Sequence, residues 1–135
     1  MSGMANQSNA AAAWTGREPH ALTGTALKFD LAAEVEALKK EPTWQANGHN
    51  AKTLVKHRDV RVVLIALKSG ARMQEHQTDQ CMTLQALYGR LRLHLPDQTI
   101  DLPIGGLVAL DHTVLHDVEA LEESVFLLTL GWSKT

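Results

Sequence analysis

Cysteine is almost absent from this sequence, and aromatic side chains are scarce. The single cysteine, Cys81, has no second thiol with which to close an internal disulfide, which fits a reducing compartment. Phe, Trp and Tyr together make up 4% of 135 residues, so a core has to be assembled from Leu, Val, Ile and Ala. Charge of one sign is lacking too. The formal net charge is −2 and the charges are interspersed, which leaves no electrostatic footprint for nucleic acid or anionic lipid. No stretch approaches the ~20 apolar residues of a membrane span. The run "AAAAW" near the N-terminus is too short for the hydrophobic part of a signal peptide, and no basic segment precedes it. A Gly-rich phosphate loop, a CxxC pair and a Ser-His-Asp order are all missing. The expectation is a soluble, cytoplasmic protein with no nucleic-acid or membrane partner.

What is present suits one domain, because an apolar fraction of 44% in a chain of this length supports a single core. Residues 1–24 are rich in Ala, Ser, Asn and Gly without a period and read as a flexible N-terminal arm, with Trp14 its one aromatic. The domain then runs over residues 25–135. Asp30 opens "DLAAEVEALKKEP" as an N-cap, with Leu31, Val35 and Leu38 forming an apolar stripe and Lys39 and Lys40 near the end. This predicts a short helix over about 30–41, stopped by Pro42. From about residue 51 to 132 the pattern changes to short alternating or β-branched runs with turn signals between them. Roughly eight or nine strands follow, as in an antiparallel sandwich or barrel. In "RLRLHL" the alternation puts Leu91 and Leu93 on one face and Arg90, Arg92 and His94 on the other. Arg58, Arg61, Arg72, Arg90 and Arg92 read as solvated surface.

Two stretches carry a more specific pattern. Gly70 is followed by five residues and then His76, while Gly89 closes a segment in which six residues follow Met82. Gly105 is followed by "GLVAL", and His116 stands eleven positions after that glycine. These spacings resemble the two cupin motifs, written G-x5-H-x-H-x3,4-E-x6-G and G-x5-P-x-G-x2-H-x3-N. The resemblance spans Gly70 to about Ala120 and implies an all-β, cupin-type jelly-roll barrel with a short N-terminal helix. Gly70, Gly89 and Gly105 each fall at a strand end, where a positive φ or a close backbone approach is often required.

In metal-binding cupins the ligands are both histidines and the glutamate of the first motif, plus the histidine of the second. By position, His76 and His116 are retained, but Thr78 replaces the second histidine and Met82 the glutamate. In the second motif Asp111, Thr113 and Ala120 replace the proline, glycine and asparagine. A protonated alcohol and a thioether are poor ligands for Zn, Ni, Fe or Mn, so the resemblance implies a degenerate site that holds a divalent transition metal weakly through His76 and His116. The expected pocket is mostly apolar, walled by Met82, Leu84 and Leu91, with His76, Thr78 and His116 as polar points and Tyr88 nearby. Cys81 reads as a buried or half-buried structural residue, since no orienting third group accompanies it.

The leading functional expectation is a small-molecule binding protein with no assigned catalysis. The alternatives are a metal-dependent dioxygenase or isomerase using His76 and His116, and a sensor or interaction module. The arm, the helix stripe and Trp132 offer more apolar surface than one barrel of this size needs, which points to a homodimer.

Overall fold

A computed structural model of the chain describes residues 26–75, 80–111, 114 and 116–131. The expected arm, with Trp14, and the C-terminal Trp132 lie outside the described residues. Among the described residues two helices, α1 (Leu31–Lys39) and α2 (Pro42–Asn47), come first. Nine strands follow: β1 (His49–Lys56), β2 (Val60–Leu67), β3 (Arg72–Glu75), β4 (Cys81–Tyr88), β5 (Arg90–His94), β6 (Thr99–Pro103), β7 (Leu107–Leu110), β8 (His116–Ala120) and β9 (Ser124–Gly131). They form a five-stranded sheet in the order β1-β2-β9-β4-β7 and a four-stranded sheet in the order β3-β8-β5-β6. Every pairing is antiparallel. The sheets are laid face to face as a jelly roll.

Strand periodicity decides what fills the space between them. Ile65 and Leu67 of β2, Leu84 of β4 and Phe126 and Leu128 of β9 meet Leu91 and Leu93 of β5 and Val118 of β8 in one buried cluster. Their neighbours in sequence point the other way. On the four-stranded sheet those neighbours form a cross-strand charge ladder, as the alternation of "RLRLH" predicts. Arg92 donates to Asp101 from Nε (2.7 Å) and Nη2 (3.2 Å), Arg72 donates to Asp117 (3.0 Å), and His94 Nε2 lies 2.7 Å from Glu119.

The helices cover part of the outer face of the five-stranded sheet. Asp30 caps α1 by accepting from the Ala33 amide at 3.2 Å, and Val35 and Leu38 bury against Leu54, Leu64 and Val125. The sequence reading ends the helical region at Pro42, whereas Pro42 starts a second helix. A proline is tolerated at a first helical position, where the missing N–H has no intrahelical partner in any case. Polar residues of β1 secure this layer. Asn50 donates to the Leu38 carbonyl at 3.0 Å and to Glu41 at 2.8 Å, tying the end of α1 to the start of α2. Beside it, the buried Lys52 ammonium pairs with Glu34 of α1.

One glycine is fixed by the fold. Gly89 joins β4 to β5 at φ 79°, where a Cβ would fall 2.8 Å from Ser124 Cα and closer still to the Glu123 carbonyl.

The charge ladder sets an acid limb to stability. The hydrogen bond from Arg92 holds the Asp101 carboxyl below the usual carboxylate range, and the hydrogen bond from His94, helped by Arg72 and Arg92, does the same for Glu119. Both folded values lie below the unfolded ones. Their contribution is therefore complete above the ordinary carboxylate range and disappears as the pH falls through and below it. Asp101 is exposed and Glu119 partly so, and the effect is therefore modest and salt-sensitive. The melting temperature of the natural chain is expected to fall on that limb, and the double variant Asp101→Asn, Glu119→Gln to show a flatter one. Superimposable acid limbs would show that the ladder is not responsible.

Candidate functional site

The described part of the candidate site is built around one buried histidine. His116 opens β8 and pairs with Glu75 of β3. Alternation along β8 sends His116, Val118 and Ala120 inward and leaves Asp117 and Glu119 to the outer ladder. His116 is 2% exposed. Its Nδ1 lies 3.2 Å from the Val114 carbonyl, which can only accept, so Nδ1 carries the hydrogen and donates it. In the neutral ring the lone pair is then on Nε2. That atom is buried and has no hydrogen-bond partner among the described residues. Buried polar atoms of this kind are uncommon and call for an explanation.

The remaining site residues are distributed as follows. His76 and Thr78 lie outside the described residues. Met82, Leu84 and Leu91 all point inward, but Leu84 and Leu91 are sealed within the core cluster and do not border an opening. Tyr88 is 49% exposed and does not share the inward face of Met82, Leu84 and Ala86. A register irregularity between Ala86 and Tyr88 breaks the alternation on which that expectation rested. Cys81 is exposed rather than half-buried, because odd-numbered positions of β4 face outward; its Sγ lies 4.0 Å from Asp111. An open cleft of about 450 Å³ lies at this end of the sheet, with Cys81, Met82, Thr83, Ala109 and Thr129 among its lining residues.

Arg61, too, departs from the sequence reading. It is half-buried rather than solvated. It pairs across β2 and β9 with Leu130, a core residue, and follows the same alternation as Val63, Ile65 and Leu67. Its side chain therefore belongs to the inner face. The signal was the period-two run Arg61, Val63, Ile65, Leu67, which is legible only when strand register is known.

No group of three or more His, Cys, Asp or Glu side chains is placed to hold a metal among the described residues. His116 fits one position of such a site, since a buried imidazole lone pair is a proper donor for a transition metal. No helix among the described residues is long and apolar enough to cross a membrane.

The architecture is the cupin fold, a jelly roll of two facing antiparallel sheets. Solved structures resemble it over most of its length. A conserved protein of unknown function from Streptococcus pyogenes aligns with 84% of this chain and 93% of its own, at 18% identity and a TM-score of 0.66. A cupin superfamily protein from Desulfitobacterium hafniense aligns with 64% and 80%, at 17% identity and a TM-score of 0.62. Salicylate 1,2-dioxygenase from Pseudoaminobacter salicylatoxidans, solved with gentisate, aligns with 76% of this chain but 32% of its own, at 14% identity and a TM-score of 0.69. At these identities the likeness is one of fold. No family model matches the sequence, and no curated protein matches it.

Proposed function

We propose that this chain is a cytoplasmic cupin-fold binding protein that takes a small organic molecule at the His116 end of its barrel. A divalent transition metal (Zn, Ni, Fe or Mn) is held there only weakly, with His76 as the second ligand. The buried Nε2 of His116, which has no hydrogen-bond partner among the described residues, carries this reading. A lone pair kept dry at a barrel mouth gives a ligand group or an ion a strong point of attachment, whereas a structural histidine would have its second nitrogen satisfied. The retained histidine spacing and the replacement of two ligand positions by Thr78 and Met82 support weak rather than tight metal binding. Calorimetric titration with Zn²⁺ is expected to show weak binding to the natural chain and none to His116→Ala. Stoichiometric metal surviving purification without a histidine tag would contradict this reading and favour a metal-dependent enzyme of dioxygenase or isomerase type.

A homodimer is the second part of the proposal. The outward positions Cys81, Thr83 and Gln85 of β4, Leu107 and Ala109 of β7, and Leu127 and Thr129 of β9 include no charged side chain, in contrast to the ladder on the other sheet. Leu107 is 62% exposed, and β7 is an edge strand without proline or charge to protect it. A neutral face is self-complementary across a two-fold axis, because no like charges are brought together. Light scattering is expected to return twice the mass of one chain, and Ala109→Glu to halve it. A single-chain mass for the natural protein would refute the dimer.

A further inference from the structure

The inner face of the barrel carries a second chemical signal at the His116 end. In the five-stranded sheet the last inward row before the rim reads Lys56, Arg61, Leu130, Met82 and Leu110, each paired with the next across the strands. Three of these are core residues, so Lys56 and Arg61 stand on the core-facing side of their strands. Lys56 is exposed at the strand end, while Arg61 is half-buried and its Nε is fully covered. The chain direction places this row at the same end as His116. Met82 of this row lies at the start of β4, only seven residues after Glu75, which ends β3 and pairs with His116.

We infer that Arg61 is the specificity-determining residue of the barrel mouth, and that the molecule it selects is a small organic carboxylate with an apolar body. A planar guanidinium matches the two oxygens of a carboxylate, and the match strengthens where water is excluded. It carries five N–H donors, so a partner within the protein still leaves donors for a ligand. The neighbouring charge of Lys56 adds to the positive potential at the rim. Leu130, Met82 and Leu110 beside the pair supply an apolar wall with no hydrogen-bonding side chain. That wall suits the hydrocarbon part of a monoanionic acid and offers few donors to the extra oxygens of a phosphate. His116 Nε2, an acceptor in the neutral ring, would receive a hydroxyl or amino hydrogen from the same molecule.

This inference rests on the binding reading of the mouth given above, and its test separates the two. Backbone amide shifts of the full-length chain would be followed by NMR during titration with benzoate, with benzamide as a neutral isostere and with inorganic phosphate. Benzoate is expected to bind with fast exchange and to shift amides near Arg61, Leu130 and His116, and benzamide to bind at least tenfold more weakly. Arg61→Gln should lower the affinity for benzoate roughly tenfold or more, the scale of a lost charge-assisted bidentate pair, and leave benzamide unaffected. Arg72→Gln, on the outer ladder, should change neither, and thermal melting would confirm that each variant is folded.

Equal binding of benzoate and benzamide in the natural chain, or benzoate binding unchanged by Arg61→Gln, would overturn the carboxylate assignment while leaving a mouth that binds neutral molecules. Binding of phosphate but not benzoate would overturn it as well. If none of the probes shifts the mouth while His116→Ala still abolishes Zn²⁺ binding, the carboxylate inference fails and the His116 reading survives.

Discussion

Phe126→Ala is expected to lower the unfolding free energy by about 3–5 kcal/mol, a large part of the ~5–15 kcal/mol typical of a domain. Aromatic residues are scarce in this chain, and among the described residues Phe126 is the one that fills the barrel. It lies on β9, which is flanked by β2 and β4, and it pairs with Ile65 on one side and Ala86 on the other. Its ring is almost completely buried in a cluster otherwise made of aliphatic residues. Those strands are held in their sheet by backbone bonds and cannot collapse into the space that the ring would leave. Urea unfolding should show a lower midpoint at an unchanged slope. Phe126→Leu, which keeps most of the volume, should cost less than about 1.5 kcal/mol. A loss below about 1 kcal/mol for the alanine variant would mean that the barrel interior is less tightly packed than described.

The second large effect lies outside the barrel. Lys52 is 3% exposed and its charge is compensated by Glu34 of α1, whose side chain is 17% exposed. Removing one partner of a buried pair is far more harmful than replacing both, because the remaining charge keeps its desolvation penalty without its compensation. Glu34→Gln is expected to destabilise by about 3 kcal/mol, and Glu34→Leu combined with Lys52→Met to come out close to neutral. The stability of both variants would be measured by chemical unfolding. If the single variant were as stable as the natural chain, the helical layer would not depend on this pair. The pair also gives the layer its register. Glu34 sits one turn before Leu38, whose carbonyl is held by Asn50, so β1 fixes α1 at two successive turns.

How much of this was legible in the sequence depended on whether a feature followed from local period or from register. The two faces of β5 were readable because Leu91 and Leu93 alternate with Arg90, Arg92 and His94, and no neighbouring strand alters that. Nine strands were within the expected range, and the helical stripe of Leu31, Val35 and Leu38 marked the covering layer. Tyr88 was misplaced because one irregular step between Ala86 and Tyr88 shifts every face assignment beyond it, and such a step has no signature in a single sequence. α2 was missed because Pro42 both ends one helix pattern and starts another. Arg61 was misread because its charge suggested solvent, while its position in a period-two run with Val63 and Ile65 pointed inward. For the site, spacing alone singled out His116. What spacing could not give was its ring orientation, which depends on the Val114 carbonyl and on which nitrogen is left without a partner.

That orientation is the most direct point of attack on the functional account. Long-range ¹H–¹⁵N correlation spectra of histidine-labelled protein distinguish the two ring nitrogens of each imidazole. His116 is expected to be protonated at Nδ1, with Nε2 in the range of a free lone pair, and added Zn²⁺ is expected to shift Nε2 selectively. A His116 ring protonated at Nε2, or one whose Nε2 does not respond to Zn²⁺ when the other histidines do, would contradict it.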